Sequence, residues 1–352
     1  MDKNDFEKLY SKRRFRKALI LFGLLIALVL MIVFVVTVGS VHIPPLTVAK
    51  IVLSKIPLIS NLVSESWPSI YEAIVIDVRL PRVLLGTVVG SALAVAGCAM
   101  QGMFRNPMAS PYIVGVSSGA AFGAALAIVL GGSMYILPLG AFLFATLTVF
   151  IVYNIARVRG RVPIETLLLA GIAIGCFFSA LVSFMNYIAG EKLPTIVFWL
   201  MGGLWASNWD KVAIAFPLIL LGIVGMFLFS RDLNIMLTGE EHALDLGIDV
   251  ERVKRIILVF AALITAAAVS VCGIIGFVGL IIPHIMRILV GPDNRILLPS
   301  SCLVGAMFLI GTDTLARTVI QPTELPVGII TALFGAPFFL YLLRRRRRVT
   351  GW

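Results

Sequence analysis

Nowhere in the 352 residues does a glycine precede a lysine, so no G-x-x-x-x-G-K-[ST] loop exists to cradle nucleotide phosphates. The three histidines, His42, His242 and His284, are far apart and suggest no metal set. Cys98, Cys176, Cys272 and Cys302 show neither C-x-x-C nor Cys/His spacing. Zinc and a disulfide framework are therefore not indicated, and each cysteine reads as a small hydrophobe. Charge is scarce as well, at 13% of residues where a soluble protein carries about 25%. No acid falls near the middle of an apolar run: Asp77, Glu165, Asp313 and Glu324 all sit near run ends. Ion-coupled carriers usually need ionisable groups within the membrane, so that class has weak support. Period-2 alternation in short segments, the mark of a transmembrane barrel, is also lacking.

What is present is oil. Hydrophobic residues make up 60% of the chain, and mean hydropathy is +1.04. Repeated runs of 17 or more apolar residues match the ~30 Å hydrocarbon core that a helix must cross. The expectation is an all-α polytopic membrane protein with about ten transmembrane helices, over 18–38, 83–103, 112–131, 134–156, 166–189, 211–230, 256–272, 274–290, 296–315 and 327–343. The first run lacks a convincing A-x-A cleavage site and reads as a retained anchor.

The net charge of +11 is distributed by membrane side. Seven bases fall in the first 17 residues and five in the run 344–348. With both ends on the cytoplasmic side, only Lys50, Lys55, Arg79, Arg82, Lys192, Lys211 and Arg317 of the 29 Lys and Arg are left outside, as the positive-inside rule requires. That gives a basic cytoplasmic tail over 1–17, one transmembrane domain over 18–343, and a second basic cytoplasmic tail over 344–352. A nucleic-acid arm is the minor alternative for these ends. Small residues at four-residue spacing (Gly86/Gly90, Gly115/Gly119/Gly123, Gly171/Gly175) predict close helix packing. Trp199, Trp205 and Trp209 read as an interfacial belt. His284 reads as a structural hydrogen-bonding residue.

One cytoplasmic segment, 232–255, interrupts the oil with TGEEHALDLGIDVERVKR at 238–255. Thr238 with Glu241 has capping-box spacing, Gly247 ends the turn, and Asp249 can cap the next helix. Two short helices joined at a glycine predict a rigid projecting surface, the alternative being a solvated loop. On the other side, Arg79 and Arg82 in RLPR, with Arg317 in TDTLAR, run against the charge bias. They are open to two readings: snorkelling or pairing with Asp77, Asp313 or Glu324, or a basic rim that receives an acidic partner through bidentate contacts.

Six blocks carry a resemblance: RLPRVLLGTVVGSALAVAGCAMQGMFRNPMASPYIVG (79–115), ETLLLAGIAIG (165–175), WLMGGL (199–204), GFVGLIIPHIMR (276–287), GTDTLAR (311–317) and ELPVGIITALFGAPFFLYLL (324–343). In this order they resemble the FecCD-type permeases, membrane subunits of type II ABC importers for iron-siderophores, haem and cobalamin. The resemblance implies a cobalamin-importer-like permease fold that pairs as a homodimer in the cell membrane. It implies two ABC ATPase subunits on the cytoplasmic side, an extracytoplasmic substrate-binding protein, and no catalytic residue, metal or cofactor held by this chain, ATP being used by the partner subunit. By similarity Gly239, Glu240, Glu241, Ala243, Leu246 and Gly247 belong to the ATPase-coupling segment, and Arg79, Arg82 and Arg317 to binding-protein docking. Asn106, Pro107, Met108, Ile164 and Glu165 match the inner gate region. An ion-coupled secondary carrier working without an ATPase, and a non-transporting scaffold or receptor, are the alternatives.

Overall fold

A computed structural model of the chain describes residues 3–39, 41–55, 64, 66–133, 135–320 and 323–350, with side chains from residue 15 onward except at 342–343 and 345–350. The ends of both expected tails, 1–2 and 351–352, and the basic side chains of Lys3, Lys8, Lys12, Arg13, Arg14 and 345–348 lie outside the described set.

The apolar runs become helices. They are α1 (Lys3–Thr37), α2 (Pro45–Ser54) and α3 (Ser69–Ala73), which passes through a π-turn (Ile74–Arg79) into α4 (Leu80–Met103). Then come α5 (Val116–Val129), α6 (Ile136–Ala156), α7 (Ile164–Ile188), α8 (Leu193–Leu200), α9 (Trp209–Leu228), α10 (Ser230–Met236) and α11 (Glu240–Asp245). The last four are α12 (Val250–Cys272), α13 (Val278–Val290), α14 (Asn294–Ala316) and α15 (Val327–Thr350). Among the described residues there is no strand beyond one isolated bridge between Val158 and Arg161. Each of the ten expected spans holds a helix, and among the described residues 7 helices are long and apolar enough to cross a membrane.

Two spans need correction. α5 has 14 residues and α13 has 13, about 21 and 20 Å at the α-helical rise, against a hydrocarbon core of ~30 Å. The run at 112–131 is broken by a 3-10 turn (Pro111–Val114) and Gly115 at φ 86, and that at 274–290 by extended chain up to Phe277 at φ 67. Broken helices at membrane depth are tolerated where protein covers them, and these are covered. The α1 helix also starts earlier than the expected run, since its basic stretch is built from good helix formers.

α4 is the central post, nearly every residue of its length being buried. It approaches its neighbours through glycine. A methyl on Gly90 would lie 2.3 Å from the Gly305 carbonyl of α14, and one on Gly97 1.8 Å from the Gly279 carbonyl of α13. Such approach is a main source of helix association in lipid, where the hydrophobic effect gives no preference between neighbours. The same holds for Gly123 of α5, whose methyl would lie 2.2 Å from the Gly140 carbonyl of α6. At the opposite end from α11, α2 closes a second cluster, with Ile43, Val48 and Ile51 packed against Val35, Val75 and Val83.

Candidate functional site

At the α11 end, the polar segment folds as a short braced helix. Ala243 is fully buried while Leu244 and Leu246 are 54% and 68% exposed, with Glu241 and Asp245 exposed beside them. The capping box is corrected: Gly239, at φ 128, takes the N-cap position without a side-chain cap, and Thr238 Oγ1 donates to Ile235 O instead at 2.8 Å. At the other end Ile248 N donates to Ala243 O and Gly247 N to Leu244 O, at 2.9 Å each. Gly247 is at φ 79, which makes this a Schellman stop that satisfies the final carbonyls. Asp249 caps α12 as expected, accepting from Arg252 N at 3.0 Å.

A lysine ropes this helix to the body. Lys254 Nζ, its side chain only 10% exposed, donates to Glu240 at 2.8 Å and to Glu251 at 3.3 Å. Glu251 in turn accepts from Val162 N at 3.0 Å, on the turn entering α7. A buried ammonium needs such pairing, because desolvation of a lone charge costs several kcal/mol. The chain α11–Lys254–Glu251–Val162 is thus a continuous polar tether from the projecting helix to the start of α7. Met103, Phe104, Ile164 and Leu167 line the narrow crevice beside it. Of the expected gate residues, Ile164 is therefore brought to the tether. Glu165 is exposed in the first turn of α7, and Asn106, Pro107 and Met108 form a separate turn in which Asn106 Oδ1 accepts from Met108 N at 2.9 Å.

Beside α11, Asp293 joins three elements. It accepts from Lys17 of α1 and from Asn234 of α10 at 2.7 Å, and it caps α14 through Arg295 N. Burial alone would raise its pKa. The hydrogen bonds from Lys17, Asn234 and Arg295 N and the Lys17 charge outweigh burial and hold the carboxyl below the usual value. A depressed carboxyl contributes stability that is fully present above its unfolded pKa, ~3.9, and is lost as pH falls through the folded one. Acidification below about pH 4 is expected to free the α10 and α14 ends. Hydrogen exchange at those ends should rise with acid in the wild type, whereas Asp293→Asn should exchange faster at neutral pH and change little below it. An identical acid response in both would contradict the role of Asp293.

The non-helical joints converge in the interior. Gly203 N donates to Cys272 O at 2.7 Å and Gly328 N to Gly202 O at 3.3 Å. Tyr112 Oη donates to Ile275 O at 2.8 Å, and Gln101 Nε2 to Leu280 O at 3.1 Å. The helix breaks leave carbonyls that water cannot reach, and these two side chains meet part of that demand. Phe277 holds a left-handed φ of 67, unusual for a bulky residue and a place where strain is stored. Its ring lies against Gly335 of α15, where a methyl would fall 2.3 Å from Phe277 Cγ. Four of the sequence blocks, at 79–115, 199–204, 276–287 and 324–343, thus meet at one place. Gln101 and Tyr112 escaped the sequence reading; a lone glutamine inside an apolar run was the available signal.

At the far end the three arginines do not form an open basic rim. Arg79, Arg82 and Arg317 are 4%, 7% and 7% exposed. Arg82 grips Asp313 with Nε and Nη2 at 2.9 and 2.8 Å and reaches Glu324 with Nη1 at 2.8 Å. Arg79 donates to the carbonyls of Val36, Thr37 and Val41, and Arg317 to Val35 O at 2.9 Å. They fasten the end of α1 to α4 and α14. The pairing reading with Asp313 and Glu324 describes Arg82 and, more loosely, Arg317, whose Nε lies 3.8 Å from Asp313; among the described ion pairs Asp77 has no part. Of the tryptophans, Trp209 Nε1 donates to Ile76 O at 3.0 Å, and Trp205 meets Phe198 edge-on at 4.9 Å.

The model of the FecCD transport family matches residues 25–345. The cobalamin import system permease protein of Halobacterium salinarum is 50% identical over 280 residues, 79% of this chain and 75% of the relative. The hemin transport system permease protein of Yersinia pestis is 43% identical over 279 residues, 77% of this chain and 83% of that protein. Among solved structures, a metal-chelate-type ABC transporter in an inward-facing conformation superposes with a TM-score of 0.81 at 36% identity, covering 93% of this chain and 99% of that one.

Proposed function

The chain belongs to the FecCD transport family, and from that premise we propose that it is the permease subunit of an ATP-driven importer carrying a metal chelate. Ferric siderophore, haem and cobalamin are the candidate cargoes. In this reading two copies pair around the path and two ABC ATPases sit at the α11 end, which is cytoplasmic together with both basic tails. An extracytoplasmic binding protein delivers cargo at the opposite end. This chain hydrolyses nothing and holds no cofactor. The ion-coupled carrier is set aside: Asp313, a buried acid in a span, is engaged by Arg82.

The observation that carries the reading is the surface of α11. Leu244 and Leu246 stand out between acids on a helix whose inner side is locked by Ala243 and Lys254. A partner that covers one such leucine gains about 1.5–3 kcal/mol, and the rigid tether lets a push on α11 reach α7. Coupling then requires the ATPase pair to contact α11 differently in its two nucleotide states. For docking, the accessible member of the outer cluster is Glu324, its side chain 42% exposed. A visiting carboxylate that displaces it would meet the Arg82 fork.

The test is ATP hydrolysis by the chain in liposomes with its ATPase and a binding protein loaded in turn with each cargo. One cargo should stimulate hydrolysis. Leu246→Asp should weaken ATPase association roughly tenfold or more, whereas Lys254→Met should keep the ATPase bound and lose the stimulation. Wild-type association in Leu246→Asp would remove α11 as the docking element.

A further inference from the structure

Away from α11, helices α6, α9 and α12 leave a groove. It consists of two adjoining cavities of roughly 500 and 390 Å³ that share Pro138, Lys211, Ser270 and Val271. The second runs between α6 and α9, from Lys211 down to Leu218, about two helical turns or ~10 Å. Its floor is Ala267 and Val271 of α12. The helices flanking it turn apolar faces outward, with Leu139 and Leu143 on α6 and Ile214 and Leu221 on α9 exposed. In a chain that spans a bilayer those faces meet lipid.

Lys211 stands at the mouth of this groove. Among the described residues no acceptor takes its ammonium. The neighbouring carboxylate, Asp210, accepts from Tyr135 Oη at 3.1 Å, and Ser270 Oγ donates to Ala267 O at 2.9 Å. An unpaired charge at the edge of an apolar groove lacks its compensating anion. The matching molecule has a phosphate above and a hydrocarbon chain below, and the bilayer supplies it at high concentration. We propose that the groove holds a membrane phospholipid, with its phosphate on Lys211 and one acyl chain lying between α6 and α9. The site rests on membrane embedding alone and is independent of the transport reading.

The test uses the purified full chain, equilibrated with mixed micelles of phosphatidylglycerol and a diacylglycerol of the same chains, with retained lipid read by native mass spectrometry. Wild type should retain the phospholipid over its phosphate-free counterpart by at least tenfold. Lys211→Gln should bring that preference close to one. Ile214→Trp, a groove-filling change at a half-exposed position, should lower retention of both lipids, and both variants should elute as wild type on sizing. A preference in Lys211→Gln equal to wild type would overturn the phosphate contact. Unchanged retention in Ile214→Trp would place the lipid elsewhere and overturn the site. So would a wild-type dimer that retains no lipid while Ile214→Trp separates it, because the groove would then be covered by a second copy.

Discussion

Arg82→Ala is expected to destabilise the folded chain by about 3–5 kcal/mol, the cost of removing one partner from a buried ion pair. Asp313, its side chain 3% exposed, would keep only Arg317 at 3.8 Å. Glu324 would lose its cationic partner, Arg82 Nη1, which it meets at 2.8 Å. The geometry explains why lysine should not rescue: one ammonium cannot grip both Asp313 oxygens and also reach Glu324. Glu324→Gln should be mild, within ~0–1 kcal/mol, because that carboxylate is 42% exposed and screened by water. Thermal unfolding in detergent checks the series, and a wild-type midpoint for Arg82→Ala would refute the lock. Binding-protein affinity should be compared in Glu324→Gln, which spares the fold, since an arginine variant would confound docking with unfolding.

That lock also marks the limit of what the sequence made legible. Apolar runs announce helices because the bilayer admits little else, and all ten expected segments contain one. Hydropathy carries no information about φ, however, so the left-handed joints at Gly115 and Phe277 were invisible inside continuous apolar runs. Spacing likewise could not pair Arg82 with residues 231 and 242 positions away. The pairing of Arg82 therefore became visible only in the fold. The polar segment was legible in part: Gly247 and Asp249 act locally as expected, but the helix that Asp249 caps is the 23-residue α12, not a second short one. Its tether was not, because Lys254 reaches Glu240 across the turn and Val162 belongs to another hairpin. The sequence blocks were recognisable one by one, yet their meeting at the joints is a property of the fold.

Adding a single methyl at Gly97 should be more damaging than its size suggests. In Gly97→Ala the new carbon would fall 1.8 Å from the Gly279 carbonyl oxygen and 2.6 Å from Gly279 Cα. These are backbone atoms of α13, so no rotamer change relieves the clash and the two helices must separate. Overpacking usually costs about 1–3 kcal/mol when side chains can yield, so a backbone clash should lie at or above ~3 kcal/mol. Separation would also pull Gln101 from the Gly279 and Leu280 carbonyls beside the Phe277 joint, leaving polar groups unmet where lipid and protein offer no substitute. Gly102, five residues on in the same helix, is the control. A methyl there meets its nearest atom, Leu233 Cδ2, at 3.5 Å, an ordinary contact, and alanine favours the helix by up to ~1 kcal/mol over glycine. The two variants should therefore move the unfolding midpoint in opposite directions. Equal behaviour would mean that α4 and α13 are not held at the distance on which the joint depends.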